Sequence, residues 1–552
     1  MGPITKADTV LVQWPDRRIT LLTGVPTDTT LVLYQKDGTL PDSDPLPVRS
    51  TSSPLLTRLD ASRWFDFTHR ENDFIDFRRD RLLYHMLSTE GPRMCRGDVN
   101  GDGRDDVFVG GAKDQPGVLM LQRPDGSFRP SEDPVFLADK ISEDTDCAFL
   151  DADGDGDLDL YVASGGNELP TSSSALADRL YLNDGRGRFT KSKQVLPAGK
   201  YESTGSLQAA DFDGDGITEL FVGLRLRPFL YGVPVQGYLL ENDGEGNFRN
   251  ATKELAPGLE NLGMIRDMRW ADVDGDGDLD MILAGDWMAL TVFLNENGRF
   301  VPKPDAFAED TRGWWNCLVT GDFDGDGDLD FAAGNHGLNS RFKAGPERPV
   351  QMWVNDFDLN GSVEQIICTF EGDSAYPLAL KHDLLAQLPR LATKYPTYKT
   401  YVEQTITDIF SPNQLENALL LEVAQLRSSL FLNDGTGTFE RRDLPEALQL
   451  SPVMALYSDD FNGDGRPDLL SGGNLHRVKP EVGRYDASYG QLLLGDGTGG
   501  FRALPTWQSG MMLDGEIRDI LEVETARGPV LLFSASDGPV QVYQARSQTQ
   551  GP

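Results

Sequence analysis

Asp272-Val-Asp274-Gly-Asp276-Gly-Asp278-Leu-Asp280-Met-Ile-Leu-Ala-Gly285 sets carboxylates at alternate positions, turns on glycine, and runs directly into a short apolar stretch. The pattern Asp-x-(Asp/Asn)-x-(Asp/Asn)-Gly-x-x-(Asp/Glu) occurs seven times along 552 residues. Counting the seventh position as well, the copies before it are Asp98, Asn100, Asp102, Arg104, Asp106; Asp151, Asp153, Asp155, Asp157, Asp159; and Asp211, Asp213, Asp215, Ile217, Glu219. After it come Asp322, Asp324, Asp326, Asp328, Asp330; Asp356, Asp358, Asn360, Ser362, Glu364; and Asp460, Asn462, Asp464, Arg466, Asp468. The third copy, with Ile217 and Glu219, and the sixth depart furthest from the pattern.

Oxygen side chains at alternate positions converge only if the backbone turns sharply between them, which the glycines permit. With the carbonyl of the seventh residue, such a loop supplies the six to eight oxygens that Ca²⁺ prefers; Mg²⁺ wants a smaller octahedron, and transition metals want nitrogen or sulfur. An EF-hand would need a bidentate Glu at its twelfth position, but Val109 and Leu283 stand there in the first and fourth copies. The ninth residue must therefore close the shell. Plain solvated Asp-Gly turns would account for one copy, not for seven in phase. Unneutralised, these carboxylates repel one another, so ion binding and folding are expected to be coupled.

Each loop leads into a β-rich run such as Leu158-Asp-Leu-Tyr-Val-Ala-Ser-Gly-Gly166, then into alternating residues closed by a hairpin signal, as in Leu180-Tyr-Leu-Asn-Asp-Gly-Arg-Gly-Arg-Phe189 and Leu430-Phe-Leu-Asn-Asp-Gly-Thr-Gly-Thr-Phe439. The first five loops lie 53, 60, 61 and 50 residues apart. Four-stranded units at this period predict an all-β chain folded as a β-propeller of seven blades, eight being the alternative. The ambiguity sits at Pro349-Val-Gln-Met-Trp-Val-Asn355, which either finishes the fifth unit or starts the sixth. The expected layout is a small β module over 1–39, a linker and lead-in over 40–95, the propeller over 96–545, and a tail over 546–552. Residues 378–426, with leucines at helical spacing, are expected to form a helical insertion in the sixth unit.

Lys+Arg total 51 against 87 Asp+Glu, a net charge of −36, which disfavours nucleic acid as a partner. No apolar run approaches the roughly 18 residues of a membrane-spanning helix, and the first residues lack the apolar segment of a signal peptide. Cys95, Cys147, Cys317 and Cys368 form no CxxC pair and are expected to be buried thiols.

The loop-and-hairpin units resemble the FG-GAP (VCBS-type) repeat family, also found in integrin α-subunits, over roughly residues 97–543. Val12-Gln-Trp-Pro-Asp16 through Gly24-Val-Pro-Thr-Asp-Thr-Thr-Leu-Val-Leu33 resembles the end of an ASPIC/UnbV module, which suggests that the chain is part of a longer polypeptide. The resemblance implies a non-catalytic, calcium-dependent binding or adhesion module, extracellular or at a cell surface, with about five to seven Ca²⁺ ions and a protein or glycan ligand.

In such a fold the turns opposite the calcium loops offer a ligand surface. Arg225, Arg227, Trp287, Asn335, His336, Asn339, Asn474, His476 and Arg477 are its leading candidates, with Lys113, Asn167, Glu168, Asp286, Arg341, Tyr485 and Tyr489 beside them. The alternative is a polysaccharide lyase or glycosidase drawing acid and base from His336, His476, Tyr485 and Glu168. No local motif fixes a nucleophile and its base. Arg96-Gly97-Asp98 is an RGD tripeptide, but Asp98 is already the first residue of an ion loop.

Overall fold

A computed structural model describes residues 5–14, 18–39, 53–198 and 202–546. They divide into two compact units, Met1–Ser53 and Pro54–Pro552. The expected linker lies mostly outside the described residues, as does the tail beyond residue 546.

The first unit is an antiparallel hairpin of Lys6–Gln13 and Ile19–Pro26, followed by a 3₁₀ turn at Gln35–Asp37. Of its described residues only Gly38 is buried. A two-stranded hairpin without a covering layer has no core of its own.

The second unit contains seven antiparallel sheets in series, six of four strands and the fourth of five, where Gly313–Trp314 adds to Asp280–Met288. Sheet I is Met94–Gly97, Asp106–Val109, Val118–Gln122 and Phe128–Pro130; sheet II is Asp144–Leu150, Asp159–Ser164, Arg179–Asn183 and Phe189–Lys191. Sheets III, IV and VI repeat this order from Ser203–Ala210, Met264–Ala271 and Val453–Asp459. Sheet V starts at Cys317–Gly321 but takes its third and fourth strands from Ser429–Asn433 and Phe439–Asp443. Sheet VII, Glu516–Val523, Val530–Ser536 and Gln541–Ala545, is completed by Leu56–Leu59. The first strands of the seven sheets contact one another in a closed ring, with sheet VII returning to sheet I. This is a β-propeller.

Its core is distributed between blades. Along Asp159–Ser164, Leu160 and Val162 pack against sheet I residues such as Phe108, whereas Tyr161 and Ala163 pack against Leu220 and Val222 of sheet III. Alternate side chains thus serve opposite neighbours, which is why the second strands read as unbroken apolar runs. The same mixed clusters join sheets III to IV, IV to V, V to VI, VI to VII and VII to I. Aspartates at irregular points of the first strands bolt neighbours together: the carboxylates of Asp146, Asp267 and Asp519 accept the backbone N–H groups of Leu207, Leu318 and Met94, each at 2.8 Å. All four cysteines are buried and free.

The insertion differs from the expectation. It interrupts sheet V between its second and third strands, and it is a further four-stranded sheet: Ser374–Pro377, Glu364–Glu371, Val350–Asn355 and Leu419–Val423, in that order. Helices confined to short stretches such as Lys381–Gln387 and Pro412–Glu416 lie within it. Leu419–Val423, read as helical from its leucine spacing, is a strand because the open edge of Val350–Asn355 offers it a full ladder. The sheet packs on the lead-in through Leu83, Tyr84 and Leu87, and with it on Trp287 and Trp314.

Candidate metal centre

Every ion loop joins the first strand of a sheet to its second, and the degenerate copy makes the same link in the inserted sheet, between Val350–Asn355 and Glu364–Glu371. The loops hold one internal geometry. The first Asp accepts backbone N–H groups from the two glycines: Asp272 Oδ1 from Gly275 at 2.8 Å and Oδ2 from Gly277 at 3.0 Å. Those glycines sit at φ of 75° and 95°, a region open mainly to glycine. In the sixth loop Leu359 occupies this region, at φ 61°. In all seven loops the fifth side chain accepts the N–H of the seventh residue, so Arg104, Asp157, Ile217, Asp278, Asp328, Ser362 and Arg466 hold equivalent places.

The ninth carboxylate is the buried one. Asp106, Asp159, Asp280, Asp330 and Asp468 each accept one backbone N–H from the third strand of their sheet; for Asp159 it comes from Asn183 at 2.7 Å, with Ala152 of the loop on the other oxygen at 3.0 Å. Burial, reinforced by the other loop carboxylates, raises Asp159, Asp280, Asp330 and Asp468 to about 6, Asp106 and Glu364 to about 7 and Glu219 to about 8. Third-position Asp153, Asp213, Asp274 and Asp324 are also raised, by burial first and by neighbouring aspartates next.

Five loops gather three carboxylates with ligand atoms within 4.8 Å of one another: Asp151, Asp153 and Asp159; Asp211, Asp213 and Glu219; Asp272, Asp274 and Asp276; Asp322, Asp324 and Asp330; and Asp356, Asp358 and Glu364. Asp153, Asp274, Asp358 and Glu364 each keep a buried oxygen with no hydrogen-bond partner. Converging, partnerless, oxygen-only groups fit a hard cation. Among the described residues, the first and last loops gather no such triad. An Asn replaces the third-position carboxylate in each and bonds within the loop, Asn100 to Asp106 at 2.9 Å and Asn462 to Asp464 at 3.2 Å. The third and sixth loops, furthest from the pattern in sequence, do bring their acids together.

The hairpins of the following sheet are tied to these loops. Asn183, Asn295 and Asn433 donate their side-chain amides to the carbonyls of Val99, Phe212 and Val273, each the second residue of the preceding sheet's ion loop, at 2.8, 3.0 and 2.8 Å. Gly246 and Gly499 donate backbone N–H groups to Ala152 and Phe323 in the same manner, at 2.9 and 3.1 Å. Sequence reading takes the Asn of Leu-Asn-Asp-Gly only as a turn residue; its recurrence was the available signal.

The residues expected to form an open ligand surface are mostly inside. Arg225, Trp287, Asn335, His336 and Asn474 are buried, His476 and Arg477 half-buried, and only Arg227 and Asn339 exposed. Asn335, Asn474 and Asn167 spend their amides on structural partners: Gln425 O, Ser488 O and the carboxylates of Asp76 and Asp80. The lead-in covers this end of the channel, with Met86 N–H bonded to Arg477 O and Lys479 N–H to Tyr84 O, both at 2.9 Å. Of the acid–base candidates, His336 and Tyr485 lie together, ring centres 4.8 Å apart, while Glu168 is held by Asn72 and Lys113. Burial drives His336 down to about 3, so it is neutral. Glu90, Arg266, Trp314 and Arg518 join Arg225, Asp286 and His336 around one cavity, and sequence reading missed them. Their signal was the in-phase repeat Ile265-Arg266-Asp267 and Ile517-Arg518-Asp519 on two first strands.

FG-GAP-like repeats are present at residues 98–162, 151–222 and 272–333. Over these residues the chain carries FG-GAP-like repeats, and its fold is a β-propeller. No curated protein sequence matches it. Similar solved structures include the biofilm matrix protein Bap1 of V. cholerae, 12% identical with a TM-score of 0.37, covering 87% of this chain and 90% of that one. Another is BBS1N in complex with ARL6DN, 10% identical with a TM-score of 0.40, covering 90% of this chain and 99% of that one. Likenesses at this level do not bear on what this chain does. No helix among the described residues is long and apolar enough to cross a membrane.

Proposed function

We propose that the chain is a calcium-stabilised propeller serving as a binding or adhesion module, extracellular or at a cell surface, with no reaction of its own. The observation that carries this is the partnerless buried oxygen recurring at Asp153, Asp274, Asp358 and Glu364, in cages of oxygen ligands alone. Asp and Glu oxygens select a hard ion, and a flexible loop of nine residues suits the larger, less exacting Ca²⁺ over Mg²⁺. The ion would supply charge neutralisation that fixes the loop and, through the hairpin Asn residues, the neighbouring sheet. Loops of this kind fill at extracellular calcium levels. A rigid ring whose loops vary is suited to presenting a surface to a protein or glycan. Probing glycan and cell-surface protein arrays with the chain in millimolar Ca²⁺ and again in EGTA tests the role. Binding that EGTA abolishes is expected; turnover of a polysaccharide without any such binding would replace this reading with the enzymatic one.

A further inference from the structure

The covered end of the channel holds a cavity of about 50 Å³ between the lead-in and sheets III to VII. That is room for a few waters or one small ion rather than for a sugar ring. Its wall combines aromatic rings with guanidinium groups. Trp314 stands against Trp287, His336 and Phe342 at ring separations of 5.0, 4.9 and 4.7 Å.

Two properties of this wall remain unexplained by packing. Its polar atoms lack partners: Trp314 Nε1, Tyr485 OH, Tyr84 OH, His336 Nε2, and Arg518 Nε and Nη1 are buried without a hydrogen bond. Trp314, Tyr485, His336 and Arg518 are themselves only 9%, 6%, 8% and 5% exposed. Buried polar groups are ordinarily satisfied, so such a cluster signals a missing partner. The indole and guanidinium atoms can only donate, which makes that partner an acceptor.

The wall also gathers three guanidiniums. Arg225 pairs with Glu90 and, at 3.0 Å, with Asp286; Arg266 reaches the same two carboxylates at 3.7 Å. Arg518 lies 3.6 Å from Glu516, whose carboxylate already accepts the N–H groups of His476 and Arg477. Three guanidiniums thus meet three carboxylates, Glu90, Asp286 and Glu516, of which only Glu90 and Asp286 line the cavity itself. Burial, and then Arg266, pushes Arg225 down to about 10.

We infer that this cavity is a binding site for one small oxyanion of carboxylate or phosphate type, held by Arg518, Arg225, Arg266, Trp314, Tyr485 and His336. The anion would satisfy the orphan donors. It would also pin the lead-in to the ring, since Tyr84, whose hydroxyl has no partner, shares the wall. The site is independent of the ion loops and of the binding role proposed above.

Thermal unfolding of the full chain in fixed Ca²⁺, titrated with acetate, with sulfate and with chloride at constant ionic strength, tests the inference. A saturable rise in melting temperature with acetate or sulfate, absent with chloride, is expected, and the effective arm separates planar carboxylate from tetrahedral oxyanion. Tyr485→Phe and Trp314→Phe remove groups that have no partner in the ligand-free protein. Tyr485→Phe should leave the melting temperature unchanged within a degree, Trp314→Phe should lower it through the space its indole vacates, and both should weaken anion binding tenfold or more, the value of a hydrogen bond to a charged group. No saturable rise in either arm, or equal affinity in both variants and the parent, overturns the inference.

Discussion

Replacing Asn433 by Ala should cost far more than a turn substitution normally does. The side chain donates to Val273 O at 2.8 Å and Leu329 O at 3.2 Å, accepts from Gly437 N–H at 3.2 Å, and is buried. Three bonds at about 1 kcal/mol net each, with two carbonyls losing a donor in dry surroundings, give a loss of about 3 kcal/mol. Asn242 is the built-in control: it donates to Thr218 O of its own sheet at 3.3 Å and accepts from Gly244 at 3.2 Å, so Asn242→Ala should cost about 2 kcal/mol. For a unit of roughly 500 residues the unfolding entropy is about 1 kcal/mol/K, so the expected losses in melting temperature are about 3 °C and about 2 °C. Calorimetry in saturating Ca²⁺ and in EGTA measures both. Equal shifts for the two variants would refute the idea that the hairpin Asn acts as a tie between blades.

Asp274→Asn should change sign with conditions: it relieves repulsion in EGTA and raises the melting temperature there, but lowers the gain that Ca²⁺ confers, which a melt with and without ion reads directly. pH should act in the same way. The ninth-position carboxylates take up protons more readily folded, at about 6 for Asp159 and Asp280, than the ordinary value of about 4 for an unfolded Asp. Their stabilising protonation is full below pH 4 and lost as pH rises through 6, so the EGTA-treated protein should melt higher at pH 5 than at pH 7.5. The Ca²⁺-loaded protein should show the reverse, because protons then compete with the ion. Leu359→Gly removes a side chain from a left-handed position, a strain of about 1–2 kcal/mol, against about 0.5–1 kcal/mol of added chain entropy. The sixth loop should gain Ca²⁺ affinity, measured by calorimetric titration against the parent.

The ion loops and blades were legible because one period fixes them repeatedly: the carboxylate spacing, the apolar second strand and the Gly hairpin recur in phase. What long-range pairing decides was not legible. Leu56–Leu59 becomes the outer strand of sheet VII only because Gln541–Ala545, nearly the whole chain away, leaves an edge open. Val350–Asn355 looked like part of a blade because it carries the same alternation, yet sheet V waits for Ser429–Asn433. Arg225, Trp287 and His336 were placed on an open face by the rule that turns lie at the surface; the lead-in that covers them carries no repeat to announce it. The ion loops also show the limit of pattern strength, since Asn100 and Asn462 fit the motif but leave their loops short of the three-carboxylate convergence found at Asp356, Asp358 and Glu364.

The most direct test of the account is a thermal melt joined to bound-metal analysis on the protein as purified, after EGTA, and after adding back Ca²⁺ or Mg²⁺. The account predicts about five tightly held Ca²⁺ ions per chain and a large fall in melting temperature that Ca²⁺ alone restores. No bound metal and an unchanged melt would contradict it, leaving the Asp-Gly loops as turns and the calcium-dependent role without support.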